Sequence, residues 1–472
     1  MPNHTPPDAD PAGREAWLAA AARTLKGAPV ASLVTRTVDG IEIEPLYDGH
    51  APLHDLGTSA GWDIRARVEA EHPAAANALA LEALGGGASS LLVVVDGAGV
   101  GSAADMARAL DGVVLEAAPV ALDAGFWGPR AAEWLGEAAK GSPAARLDVH
   151  MDPLGAFAEA GECPGPIEAH VARAAEVAAA LAGSYPHASL MLASGRAAHE
   201  AGGSPAQELG VMAAAAVAYA KALARAGLPV EAALGRITLG ICVDADVLVG
   251  IAKLRAARQI WARIGAALGC GMAARIEARS SRRMLTAADP WTNLLRLTLA
   301  GFSGAVGGAD ALVLGAFTDA LGRPAERARR LARNTQLILM DQAGLGHAAD
   351  PAAGAWAIEA LTDQLARQGW AAFQAIERQG GLAAALTSGL IAAEVAGARE
   401  AHERAVAEGR QPILGITEFP DPEPLPVEIE PARGLASALP DIRLPGADSR
   451  CPPLTPKRLS VTAEQVLRDV AP

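Results

Sequence analysis

The chain has 472 residues, of which 51% are hydrophobic and only 4% aromatic, and it carries a net charge of −13. That length allows one large barrel or two to three ordinary domains, with a core built from alanine and branched aliphatics rather than rings. The acidic balance argues against nucleic acid, and no Lys/Arg block offers an electrostatic tether to a membrane.

Four cysteines (Cys163, Cys242, Cys270 and Cys451) lie far apart and form no CxxC pair. Neither a metal cage nor a disulfide framework is expected, and reduced thiols fit a cytoplasm. The stretch Met1 to Glu15 is polar and Pro-rich, without the apolar centre of a signal peptide. No uninterrupted apolar run reaches the roughly 18 to 20 residues of a membrane span. These features describe a soluble, cytoplasmic chain.

In chain order, residues 14–26 form an amphipathic helical pattern with Trp17, Leu18, Ala21 and Leu25 on one face. The segment Gly40–Tyr47 alternates like a short strand, so residues 1–60 read as an N-terminal arm. From residue 61 a rhythm begins, in which short β-branched runs alternate with long Ala/Leu/Glu helices. The runs are Asp63–Val68, Leu91–Asp96, Val113–Ala117, Arg146–Asp152, Ser189–Ser194, Arg236–Asp244, Ala274–Ser280 and Ala311–Phe317. Helical patterns cover 72–84, 102–110, 154–162, 166–182, 205–226, 246–268 and 290–306. Eight strands alternating with helices predict a parallel sheet, and that count favours closure into a (β/α)8 barrel. Its chemistry would then sit at the C-terminal strand ends, where Asp96, Asp152, Ser194, Asp244 and Ser280 fall. After residue 320 the pattern is helical to about 408, and Gly409–Ile416 reads as a last short strand. The barrel unit is thus expected over 61–419. Residues 420–472 read as a Pro-rich, extended tail closed by a short helix at Thr462–Val470, with no second globular domain and no internal repeat.

Several motifs have competing readings. Gly97-Ala98-Gly99-Val100-Gly101-Ser102 follows an apolar strand, but its third glycine arrives one residue early for a dinucleotide fingerprint. A glycine-rich barrel loop is the simpler reading, although such a loop can present backbone amides to a phosphate. Asp148-Val149-His150 begins like the Asp-x-His-x-x-Gly of corrinoid proteins, but Pro153 stands where the glycine belongs and the residues sit on a strand. Arg275, Arg279, Arg282 and Arg283 crowd one strand end beside Glu277, either as a pocket for a phosphorylated ligand or as an ion-pair cluster. Adjacent His199 and Glu200 offer either an acid/base pair or supporting side chains.

From about residue 14 to 431 the chain resembles the adenosylcobalamin-dependent acyl-CoA mutases, most closely the methylmalonyl-CoA mutase type. The resemblance is carried by Gly40–Tyr47, Asp63-Ile64-Arg65, Ser194–Gly202 and Ile251–Trp261, then by Leu285–Asn293, Arg333-Asn334-Thr335-Gln336 and Gly409–Ile416. It implies a TIM-type barrel that encloses an acyl-CoA and a separate cobalamin-binding domain. The barrel's share is to bind, orient and shield the reacting groups.

The departures from the family pattern are as informative. Where catalytic members read Ser-Gly-Tyr-His, this chain has Arg196 for the tyrosine and Ala197 for the histidine that hydrogen-bonds the thioester. The Arg-Thr-His-Ser-Gln segment reads Arg275-Ile276-Glu277-Ala278-Arg279, leaving Arg275 and Arg279 as the residual candidates for substrate binding. A strand-end histidine becomes Val313, and a glutamine becomes His150. Losing a single hydrogen-bond donor to developing charge costs about 10² to 10³ in rate, and here several go together. No catalytic, cofactor-binding or metal residue is therefore expected in this chain. The resemblance implies that adenosylcobalamin is held by a partner, with the cobalamin domain outside this chain. The first expectation is a small subunit with a degenerate barrel, paired as a heterodimer with a catalytic large subunit that carries the acyl-CoA. The rivals are a catalytic barrel for another acyl-CoA that borrows a separate cobalamin subunit, and an assembly or binding protein for a mutase.

Overall fold

A computed structural model of the chain describes residues 11–47, 49, 60–96, 99–431 and 442–470. Gly97 and Ala98 of the glycine-rich loop, the polar first ten residues, part of the arm (48 and 50–59), residues 432–441 of the tail and residues 471–472 lie outside the described residues. Eight parallel strands close into a barrel: β1 (Asp63–Val68), β2 (Ser90–Val94), β3 (Val120–Asp123), β4 (Leu147–Met151), β5 (Ser189–Ser194), β6 (Ile237–Val243), β7 (Ile276–Ser280) and β8 (Ala311–Val313). Each strand pairs with the next in sequence, and Ala311 of β8 aligns with Asp63 of β1 to complete the ring. This is the (β/α)8 barrel that the rhythm of the sequence predicts.

Seven of the eight expected strands fall where the β-branched runs lie. The exception is Val113–Ala117, which forms a turn held by Ala117 N and Ala118 N donating to Val114 O. The third strand comes instead from Val120–Asp123. Local propensity favoured the first run, but Val114 is 62% exposed whereas Val120, Ala121 and Leu122 are buried in the ring. Burial on both faces is what a parallel strand requires, and it outweighs β-branching. The expected strand at Gly409–Ile416 is also absent. Gly415 adopts φ +79° in a turn closed by Ile416 N to Ile413 O, 3.0 Å.

Three long helices cover one side of the ring: α1 (Pro205–Arg225), α2 (Val247–Ala267) and α3 (Trp356–Arg378). Helix α1 starts on a capping box, with Ser204 Oγ accepting from Gln207 N and the Gln207 side chain accepting from Ser204 N, and Pro205 at the first position. Helix α2 starts on Asp246, whose carboxylate accepts from Val249 N. Helices α1 and α3 cross closely because each presents a glycine to the other. A Cβ on Gly210 would meet Ala372 Cβ at 2.6 Å, and one on Gly369 would meet Leu209 Cβ at 2.7 Å.

The arm contributes a helix at Pro11–Thr24 and a two-residue pairing of Thr35–Arg36 with Glu42–Ile43. The tail lies along the barrel. Ile429–Glu430 pairs with Arg323–Pro324, and Ser449–Arg450 pairs with Glu162–Cys163. Its closing helix, Val461–Val470, is anchored by Glu464, which accepts from Ala287 N at 2.7 Å and from Arg458. No helix among the described residues is long and apolar enough to cross a membrane.

The framework stretch Ile251–Trp261 owes its buried charges to cross-helix pairing. Arg255, 1% exposed, pairs with Asp350 and with Glu359 Oε1 at 2.7 Å on α3. Truncating one partner of such a pair leaves a buried charge uncompensated, typically at about 3–5 kcal/mol. Arg255→Met should therefore lower unfolding stability by that amount in urea titration. Because α3 carries the orphaned Glu359, protection from hydrogen exchange should fall first along α3.

Candidate functional site

Strands β1, β4 and β7 carry charges at every second residue: Asp63, Arg65 and Arg67, then Asp148 and His150, then Glu277 and Arg279. Alternation puts each set on one face. Contacts between strands that are not neighbours show that this face is the barrel interior. Arg65 Nη1 donates to Glu277 Oε2 at 2.7 Å, its Nη2 to Asp148 Oδ2 at 2.5 Å, and its Nε to Ser90 Oγ at 3.1 Å. Arg279 donates from Nε to Glu277 Oε1 at 2.8 Å and from Nη1 to Asp123 Oδ2 at 2.9 Å. Arg67 reaches the same Asp123 oxygen at 2.8 Å. Leu92, Ala121 and Val313 form a small apolar cluster beside these charges. The axis of the barrel is blocked by a plug of ion pairs with an apolar patch beside it.

The electrostatics follow from this packing. Burial alone would raise the Glu277 pKa, but Arg279, His150 and Arg65 beside it hold the carboxyl well below its usual range. Asp123 and Asp148 are likewise held low against burial, chiefly by Arg279 and Arg65 respectively. His150 is pushed down to about 4 by burial, against the pull of Glu277 and Asp148. The imidazole is therefore neutral at physiological pH.

The residues singled out in the sequence separate. Arg275 lies at the N-terminal mouth, Arg279 in the interior, and Arg282 and Arg283 beyond the C-terminal strand ends, so the four arginines do not form one basic pocket. Arg283 is fixed by His199 O and Gly203 O at 3.1 and 2.9 Å. Arg196 caps the C-terminal face with its Nε on Ser194 Oγ at 2.9 Å, and Ala197 is buried beside it. Val313 belongs to the apolar cluster of the interior. His199 and Glu200, adjacent in sequence, take different partners. His199 Nε2 meets Ser281 Oγ at 2.8 Å and Nδ1 lies 3.1 Å from Glu208, while Glu200 accepts from the backbone N of Arg282 and Arg283.

Sequence reasoning missed Glu208, Lys253 and Tyr219. Lys253 Nζ sits 2.6 Å from Glu208 Oε2, and Cys242 N donates to Glu208 Oε1 at 2.6 Å. Burial would raise the Glu208 pKa, but Lys253 and His199 bring it down to about 2. The Ser281–His199–Glu208 series has the spacing of a nucleophile relay, yet all three residues are 0% exposed and the lysine already neutralises the acid. His199, Glu208 and Cys242 also place ligand atoms within 4.8 Å of one another. With Glu208 engaged by Lys253 and the Cys242 thiol pushed well above its ordinary pKa by burial and by Glu200, the trio does not fit a cation. Tyr219 bridges Asp152 Oδ1 (2.5 Å) and Leu154 N (3.0 Å) behind the mouth. Burial there raises Asp152 to about 6. A long polar residue inside a helix that faces the barrel was the available signal for Glu208 and Lys253.

The His150 shift has a pH consequence. Its ordinary value is 6.5 and its folded value about 4, so between these limits the unfolded chain binds more protons. Stability from the neutral imidazole is present above 6.5 and lost as pH falls towards 4, by roughly 3 kcal/mol at most. His150→Gln should flatten the stability profile over that window in urea titrations at successive pH values. A variant with an unchanged slope would show that another group titrates there.

Comparison with known proteins matches residues 92–434 to the family described as methylmalonyl-CoA mutase. The chain is 39% identical over 423 residues to the methylmalonyl-CoA mutase small subunit of Streptomyces virginiae, covering 85% of this chain and 68% of that protein. It is 38% identical over 425 residues to the probable small subunit of Mycobacterium bovis, covering 83% of this chain and 67% of that protein. The small subunit of Propionibacterium freudenreichii subsp. shermanii is 31% identical, with 82% of this chain and 64% of that protein covered. The chain thus spans about two thirds of the length of these relatives. A matched barrel and relatives of this identity lead to one conclusion: the chain belongs to the methylmalonyl-CoA mutase family.

Proposed function

We propose that the chain is the small subunit of a heterodimeric methylmalonyl-CoA mutase, a barrel that supports a catalytic large subunit. The interconversion of methylmalonyl-CoA and succinyl-CoA then takes place on the partner. The observation that carries this reading is the ion-paired plug. An acyl-CoA threaded into this barrel would have to displace Arg65, Glu277, Asp148 and Arg279, breaking several buried charge pairs at once. The small-subunit names of the relatives point the same way.

Adenosylcobalamin supplies the family's radical chemistry, and we assign it to the partner. The residues here do not fit it. His150 is enclosed among Glu277 and Asp148 inside the barrel, so its ring would not be available as a ligand to a cobalt outside it. At that face Ala197 offers no donor to a thioester. This chain's own contribution is then a rigid surface. Residues 1–60 and 420–472 serve as arm and tail around the barrel at 61–419, and Arg275 and Arg279 hold ion pairs rather than substrate.

Co-expression with a large mutase subunit, followed by size-exclusion chromatography with light scattering, tests this reading. We expect a stable one-to-one complex with mutase turnover. The isolated chain should show no turnover with added adenosylcobalamin. A chain that stays apart from the large subunit, or turns over alone, would overturn the reading.

A further inference from the structure

The helix Asn293–Val306, which joins β7 to β8, carries two apolar stripes rather than one. The first is buried against the barrel and includes Leu297, Ala300 and Gly304. The second follows the i, i+3, i+4, i+7 spacing through Leu295, Thr298, Leu299 and Phe302, and it meets water. Leu295 is 63% exposed, Thr298 and Leu299 are exposed, and Phe302 is half-buried. The outer face of a surface helix is ordinarily charged. This helix has a single charge, Arg296, and its guanidinium is occupied by Leu414 O at 2.6 Å and Asn293 Oδ1 at 2.9 Å.

The Arg296 bond, with Trp291 Nε1 donating to Leu425 O at 3.1 Å, lays the segment 410–428 alongside this helix. The segment is rigid where it begins. Ile416 is buried and anchors a turn closed by Gly415 N to Glu418 O at 2.7 Å and Thr417 N to Ile413 O at 2.8 Å. Leu414 and Leu425 on it are exposed, and Phe419, directly after the turn, is 82% exposed. The φ of Phe419 is +51°, a left-handed conformation that a residue bearing a Cβ rarely adopts. Strain of this kind clusters at binding sites, and here it holds an aromatic ring in water.

Area and charge select the occupant. Covering Leu295, Leu299, Leu414, Phe419 and Leu425 would remove on the order of 500 Å² from water, over half of the roughly 800 Å² that each side of a standard protein interface buries. The rim of this face is acidic. Glu418, Asp421, Glu423 and Glu428 are exposed without an ion pair among the described residues, and no Lys or Arg stands between Arg410 and Arg433. A second copy of this chain would set acid against acid, with a net charge of −13 on each. An anionic membrane surface would be repelled in the same way. A different chain, with Lys and Arg around an apolar pocket, fits.

We propose that the face from Leu295 to Phe419 is the docking surface for the catalytic large subunit, with Phe419 seated in an apolar pocket of that chain and the acidic rim met by its basic side chains. The inference rests on the subunit reading and locates the contact within it. Aromatic anchors inside a polar rim carry most of the binding energy of such interfaces, while rim charges set the association rate.

Biolayer interferometry of the full chain against the purified large subunit tests the proposal. Phe419→Asp should raise Kd about a hundredfold and Leu295→Asp about tenfold. Neither should change the thermal midpoint of the free chain, since both side chains lie largely in water. Combining Glu418→Lys with Glu423→Lys should slow association and flatten its dependence on salt. Val114→Asp, at an exposed valine on the turn before β3, should bind as the wild type does. A complex that survives Phe419→Asp and Leu295→Asp together would overturn this inference and leave the subunit reading standing. A wild-type chain that does not join the large subunit would overturn both. Self-association of the free chain that Phe419→Asp abolishes would give the face to a second copy and overturn the assignment to the large subunit.

Discussion

The Arg65 guanidinium is the interaction on which the rest of the barrel depends. It joins β1 to β4 and to β7 across the axis, with one carboxylate partner on each of those two strands. An arginine suits this position because its planar fork addresses two carboxylates in fixed directions and stays charged at any physiological pH. With Arg65 in place, Asp148 and Glu277 remain ionised inside the fold, and Glu277 in turn orders Arg279 and, through it, Asp123. A barrel interior is ordinarily filled by layers of branched aliphatic side chains. Here ion pairs around one central cation share that volume with apolar side chains such as the Leu92, Ala121 and Val313 cluster.

Around this centre the outer layers repeat the same solution at lower density. Glu208 with Lys253, and Arg255 with Glu359, bury matched charges between neighbouring helices. These pairs explain why the resemblance to the mutases is clearest in the supporting helices. The Ile251–Trp261 stretch supplies Lys253, Arg255 and Arg258, each with a partner far away in sequence. Such residues tolerate little substitution, since a lysine or arginine there answers to particular carboxylates in fixed positions. At the C-terminal strand ends Arg196 rests on Ser194 and Ala197 is buried beside it.

The fold was largely legible because parallel strands and helices alternate with unmistakable spacing, and seven strands coincide with their β-branched runs. The third strand was misplaced because Val113 and Val114 look more strand-like than Ala121. What decides the matter is burial on both faces, which short windows do not reveal. The site was less legible. Alternating charges in β1, β4 and β7 were visible, but a charge on a strand reads as solvent-facing until the ring closes and makes one face interior. The four arginines of 275–283 seemed a cluster because they are close in sequence. Along an extended strand that spacing carries them from one end of the barrel to the other.

The plug also bears on the direction in which such a chain can evolve. Restoring an open axis would require replacing Arg65, Asp148, Glu277 and Arg279, and any one of these changes made alone strands its partners as unpaired buried charges. Each such intermediate would give up about 3–5 kcal/mol from a total stability of about 5–15 kcal/mol. A stepwise path therefore runs through chains that have given up a large share of their stability. The ion pairs thus act as a ratchet against any single substitution that would open the axis.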